Sequence, residues 1–180
     1  NWRNPEVRQA MYRAMRFWLD RGVDGFRIDV AHFVMKDPQL RDNPPAPPGH
    51  ISGLQPRYPF DTQLHIMDRG HADIHQVFRE MRSLVDEYPE RFTVGEISEH
   101  DLEVWASYYG AGDELHMPFN FSLMLQPWEA AAYRNVVERI EGVVPDHAWP
   151  NYVLGNHDVT RVATRAGTPE RARLAMMMLL

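Results

Sequence analysis

Short apolar segments alternate with amphipathic helical patterns along the whole chain, and that alternation leaves few folds open. Asn4-Pro5-Glu6 reads as a helix start, with Asn as cap, Pro in the first turn and an acid at the positive dipole end. Val7, Met11, Ala14, Met15 and Trp18 follow at helical spacing and are expected to form one buried face, and Arg21-Gly22 reads as the stop. A first, buried strand is predicted at Gly25 to Val30. A second periodic helix runs from Ile74 through Val77, Phe78, Met81, Leu84 and Val85 to Tyr88, before a second strand at Arg91 to Ile97. A short helix is predicted from Asp101 to Tyr108, a third strand at Leu115 to Phe121, and a helix opened by Pro127 that carries Trp128, Ala131, Ala132, Val136 and Ile140. A fourth strand is predicted at Trp149 to Gly155, and Thr168-Pro169-Glu170 caps a last helix. Alternation of this kind implies an α/β fold with parallel strands and right-handed crossovers.

Three of the four predicted strands run into an acid. Phe26, Ile28 and Val30 alternate with Arg27 and Asp29, so one face of the first strand is apolar and the other carries a cation and an anion. Glu96 closes the second strand, and Asn156-His157-Asp158 follows the fourth. Parallel α/β folds place their sites at the carboxyl ends of the strands, which gathers Asp29, Glu96 and Asp158 at one rim. Converging carboxylates repel one another and lose hydration, a cost that a chemical role or a metal would explain. A hard-metal site with His157 available fits this pattern, and so does glycoside hydrolysis by a nucleophile and a proton donor.

The 180 residues suffice for one domain with a sizeable core. A formal charge of -6 argues against nucleic acid and anionic membranes as partners. The longest apolar run, Leu174 to Leu180, is too short to span a membrane. The absence of cysteine makes the fold independent of redox state and fits a cytoplasmic location. Both ends look cut, so the chain reads as an internal piece of a larger protein. Residues 31–70 show little periodicity and carry prolines at 38, 44, 45, 47, 48, 56 and 59. Their aromatic and histidine residues favour a packed functional loop over a disordered insertion.

Gly25-Phe26-Arg27-Ile28-Asp29-Val30, Gly95-Glu96-Ile97 and Asn156-His157-Asp158 stand in the order and spacing of three motif regions of the α-amylase family, glycoside hydrolase family 13. The chain resembles the α-glucosidase and oligo-1,6-glucosidase branch over essentially its whole length. Supporting stretches are Asn1 to Arg8, Lys36-Asp37-Pro38, Arg41 to Pro45 and His116 to Phe121. The resemblance implies a partial (β/α)8 TIM barrel, about its fourth to seventh strands with their helices. The chain would be the C-terminal half of a catalytic barrel truncated at both ends, with residues 31–70 as a long active-site loop.

On that resemblance Asp29 is the expected nucleophile, Glu96 the general acid/base, and Asp158 the acid that grips sugar hydroxyls. Arg27 is expected to orient the nucleophile, His157 to bind the innermost sugar, and His32 to face the leaving-group sugar. The expected activity is a retaining α-glucosidase releasing glucose from short α-linked oligosaccharides, with no cofactor and no metal. Its two carboxyls would then lie roughly 5–5.5 Å apart. The 180 residues alone are expected to be inactive. A transglycosylase or a sucrose/maltose isomerase on the same residues is the alternative. A non-catalytic homologue that escorts transporters is disfavoured, because all three acids are present. Val30 hints at α-1,6 links, whereas the loop from Lys36 to Pro45 resembles enzymes acting on maltose-like sugars. Trp105, Trp128 and Trp149 are expected to pack in the core.

Overall fold

The structure is a computed structural model that describes residues 1–53 and 56–180. The two remaining positions fall in the long loop and lie outside the described residues. Three parallel strands, β1 (Gly25–Ile28), β2 (Phe92–Gly95) and β3 (Met117–Pro118), form a sheet in that order. Helices α1 (Pro5–Leu19), α2 (Ile74–Val85), α3 (Leu102–Ala106) and α4 (Ala130–Val143) flank it. Two further helices, α5 (Val162–Arg165) and α6 (Pro169–Met177), close the chain. This is a partial α/β fold with a parallel sheet flanked by helices, as the alternation implies, and it fits the barrel fragment that the resemblance implies.

Local chemistry sets most boundaries. The Asn4 side chain accepts from the Glu6 amide and Thr168 accepts from the Arg171 amide, so both predicted caps form. Gly22 turns the chain after α1 with a left-handed φ of 86°. At Gly25 the constraint is space: a Cβ there would stand 2.0 Å from the Phe92 carbonyl oxygen, so glycine alone lets β1 lie against β2. The central packing comes from Ile74, Val77, Phe78 and Val85 of α2, with Ile97, Trp105, Tyr109, Leu115 and Ile140.

Five expectations need correction. The face of α1 that packs is Tyr12, Met15 and Leu19, while Met11 and Trp18 are exposed. Polar links to α2 fix that rotation, since the Tyr12 hydroxyl donates to Glu80 at 2.6 Å and Arg8 and Arg16 reach Glu80 and Glu87. The first strand is half-covered rather than buried, because β1 is a sheet edge with β2 as its partner among the described residues. The third strand shortens to two residues. Among the described residues the fourth forms no strand: residues 149–155 pair only through an isolated parallel bridge between Tyr152 and Asn120, just beyond β3. Trp149 is 78% exposed rather than core, although its carbonyl accepts from the Tyr109 hydroxyl at 2.8 Å. Trp105 is buried as expected, its indole N–H donating to the Phe119 carbonyl at 3.0 Å.

The described part of residues 31–70 is a packed loop. Two turns of 3-10 helix (31–33 and 60–62) and an antiparallel bridge between Pro45 and Gln63 organise it. It folds back on itself through Asp37 N–H to the Met67 carbonyl at 2.7 Å and Gly70 N–H to the His32 carbonyl at 2.8 Å. The Asn43 side chain accepts from the Ile66 and Met67 amides. Buried Asp37 accepts from the Gln39 and Arg41 amides and pairs with the Arg41 guanidinium.

Candidate active site

The parallel ladder pairs Ile28 with Gly95, so Asp29 and Glu96 leave adjacent strands side by side. Backbone bonds carry the pairing past the strand ends, from Glu96 N–H to the Ile28 carbonyl and from Ala31 N–H to the Glu96 carbonyl, both 2.9 Å. Arg27 stands on the same strand face as Asp29. One of its terminal nitrogens donates to Asp29 Oδ1 and the other to Glu96 Oε2 at 2.7 Å. A single guanidinium therefore ties the two acids together.

Their surroundings differ. The Asp29 side chain is 68% exposed and the Glu96 side chain 5%. The hydrogen bond from Arg27 holds the Asp29 carboxyl below the usual carboxylate range, against a smaller cost of lost hydration. The Arg27 charge, the Glu96 carboxyl and the His157 ring add to the lowering. Glu96 is held from three directions: by Arg27, by Val30 N–H to Oε2 at 3.1 Å, and by the Asn156 amide to Oε1 at 3.3 Å. Val30 adopts φ 36° and ψ 49°, a left-handed conformation that costs a β-branched residue roughly 1–3 kcal/mol.

Asn156, His157 and Asp158 lie beyond the Asn120–Tyr152 bridge. The Asn156 side chain also accepts from the Asp158 amide at 2.8 Å, so one residue links Glu96 to the third acid's backbone. His157 Nε2 stands 3.6 Å from Asp158 Oδ1, with both side chains largely in solvent. Asp158 and Glu96 line one cleft of about 530 Å³, whose opposite wall comes from the loop 31–70. A surface groove of about 660 Å³ between α1 and α2 contains none of these residues.

His32 is buried beneath that cleft, 2% exposed. Its Nδ1 lies 3.2 Å from the Glu96 carbonyl oxygen. A carbonyl can only accept, so Nδ1 carries the proton and Nε2 is a bare acceptor in the neutral ring. Nε2 is buried without a hydrogen-bond partner among the described residues. Burial, and after it the charge of Arg69, pushes this imidazole down to about 4.

The structure thus joins Asp29, Arg27 and Glu96 directly and sets Asp158 and His32 around the same cleft. His157 lies beside Asp158 at the rim. Sequence reading missed the part of Asn156, although its motif contains it, and the loop residues that face the cleft. No group of three His, Asp or Glu residues suited to a metal ion occurs among the described residues.

The family model for the alpha amylase catalytic domain matches residues 1–180. The chain belongs to the α-amylase family. It is 34% identical over 175 residues to a probable alpha-glucosidase of Rhizobium meliloti, covering 92% of this chain and 31% of that protein. An oligo-1,6-glucosidase of Halalkalibacterium halodurans is 30% identical over 192 residues, covering 100% of this chain and 32% of its own length. Among solved structures, the alpha-glucosyl transfer enzyme XgtA superposes with a TM-score of 0.84 at 38% identity, over 95% of this chain and 32% of that one. The trehalulose synthase MutB of Pseudomonas mesoacidophila gives 0.69 at 25% identity, over 94% of this chain and 31% of that one. The chain therefore spans about a third of the length of these α-amylase relatives. No helix among the described residues is long and apolar enough to cross a membrane.

Proposed function

We propose that this chain carries the reaction centre of a retaining enzyme acting on α-glucosides, and that it supplies about the fourth to seventh strands of a catalytic barrel. The observation that carries the reading is the Arg27 guanidinium bridging Asp29 and Glu96 beside a cleft that Asp158 also lines. Asp29 is the nucleophile: its carboxylate attacks the anomeric carbon as the bond to the leaving oxygen breaks. Glu96 gives its proton to that oxygen. In the second step Glu96 takes a proton from the incoming hydroxyl, which displaces Asp29 from the glycosyl-enzyme and restores both groups. Arg27 supports this division by keeping the solvent-facing Asp29 ionised. One guanidinium reaches only acids a few ångströms apart, which favours the short spacing of about 5–5.5 Å used with retention. Asp158 and His157 bind hydroxyls of the sugar that is transferred.

Either water or a sugar can be the incoming hydroxyl. Similarity to XgtA and to MutB favours transfer or isomerisation, and similarity to the alpha-glucosidases supports hydrolysis as the second reading. The test uses the full-length protein containing these residues, with maltose, isomaltose, sucrose and trehalose as substrates. NMR would follow the anomeric form of the first product and the ratio of free glucose to new glycosides. Asp29→Asn is expected to lower kcat by about 10³-fold or more with the fold intact. Unchanged turnover in that variant, or inversion at the anomeric carbon, would overturn the assignment.

A further inference from the structure

The acids sit at the strand ends, and the opposite wall of the same cleft carries the other sign of charge. Lys36, Arg57 and Arg69 all line it from the loop 31–70. The side-chain hydrogen bonds of Lys36 and Arg69 go to main-chain carbonyls, which carry no net charge. Lys36 Nζ donates to the Asp68 main-chain carbonyl at 3.0 Å, and Arg69 to the Ser52 carbonyl at 2.7 Å. None of the three makes an ion pair among the described residues. Arg3, Arg8, Arg27, Arg41 and Arg79, by contrast, are each paired with a carboxylate. In a chain of formal charge -6, three unpaired cations on one wall are a local excess of positive potential.

The wall has an apolar part as well. Phe33 and Phe60 line it with their ring centroids 6.5 Å apart, and the Lys36 ammonium stands 5.0 Å from the Phe33 centroid. The loop side therefore combines ring surface for stacking with guanidinium and ammonium donors, the groups that bind oxyanions best. The strand-end side offers carboxylates, which suit neutral hydroxyls and repel anions. Such polarity sorts a two-part substrate: a neutral sugar ring against the acids, and a negatively charged remainder against the loop.

We propose that the leaving-group or acceptor side of this cleft takes an aglycone bearing an oxyanion, a phosphate or a carboxylate, on a ring or polyol of about sugar size. The inference rests on the α-glucoside reading and adds the charge of the second partner. It assigns Lys36, Arg57 and Arg69 to selection of that partner, with the chemical step left to Asp29 and Glu96.

The test compares three α-glucosides on the full-length protein at low salt. They are maltose, its counterpart with gluconate as aglycone, and maltose phosphorylated at C6 of the reducing-end unit. At least one anionic compound is expected to exceed maltose in kcat/KM by roughly tenfold or more, since hydrogen bonds to charged groups outweigh neutral ones by that order. The two anionic arms separate carboxylate from phosphate. The preference is expected to shrink at high salt, and to fall toward unity in Lys36→Gln, Arg57→Gln and Arg69→Gln. Maltose turned over as well as, or better than, both anionic compounds overturns this inference and leaves the α-glucoside reading standing. Calorimetric binding to the Glu96→Gln protein reads the same preference without turnover. Preferential binding of an anionic glucoside by a protein that cleaves none of the three supports the cationic subsite and refutes the proposed reaction instead.

Discussion

Arg27 and His32 show how single side chains divide the electrostatics of this site. Arg27 serves two acids and lowers the proton affinity of the exposed one, Asp29, below that of an ordinary carboxylate. His32 does the opposite work from below. It is surrounded by the Glu96 carbonyl, the cations Arg69 and Lys36, and the carboxylate of Asp68, and its neutral form is the one that fits. The direction of the pH effect follows. Its folded value is about 4 against an ordinary 6.5. Between those two values the unfolded chain binds a proton that the folded chain refuses. Stability is therefore full above pH 6.5, falls as the pH drops toward 4, and levels below it, a total of roughly 3 kcal/mol at 2.3RT per unit. The expected outcome is that His32→Gln flattens this part of the pH–stability curve, read from urea midpoints between pH 7 and about pH 4. An unchanged slope would mean that the ring is protonated in the folded protein.

At the scale of elements, β1 is the piece that everything else depends on, because it starts at Gly25 and its last residue, Ile28, leads directly into Asp29. Gly25→Ala would drive a methyl group into the Phe92 carbonyl at 2.0 Å, and both partners at that contact are backbone. The strand has to move away from β2, which breaks the register that sets Asp29 beside Glu96. We expect a loss of about 3 kcal/mol, the upper end for one substitution, together with loss of turnover. Chemical denaturation and an activity assay of the same variant check both. The helices and the two acid-bearing strand ends were legible because caps, prolines and periodicity act within a few residues. Asn4, Thr168 and the α2 stripe are local signals of that kind. What sequence could not give was set across longer distances. The rotation of α1 depends on Glu80 and Glu87, some 70 residues on. Residues 149–155 have strand-like composition but only one bridging neighbour, and a strand needs a partner along its length. Loop 31–70 has no period to read, so the positions of Lys36, Arg57 and Arg69 follow from contacts such as Asn43 with Met67 that no local pattern encodes.

For the whole molecule, the sheet edges and the outer helix faces carry the argument. A closed barrel gives every strand two neighbours, whereas here β1 and β3 each have a single partner in the described sheet. Open edges present unpaired N–H and C=O groups that pair with other chains. Met11, Phe17 and Trp18 of α1 are also exposed, as are Leu174 and Met177 of α6. Exposed apolar surface and open strand edges both drive association in water. The proposed reaction centre has the same exposure: Asp29 and Asp158 stand largely in solvent, where the glycosyl-enzyme of the proposed reaction would have no walls on one side. Residues 1–180 expressed alone are therefore expected to self-associate at micromolar concentration and to release no glucose from maltose or isomaltose. Sedimentation velocity and a coupled glucose assay measure the two outcomes separately. A monodisperse monomer with measurable turnover would show that three strands and one loop suffice for binding and chemistry. Association without turnover, reversed when the further strands of the proposed barrel are supplied in the same chain, would locate the other walls of the site in those strands.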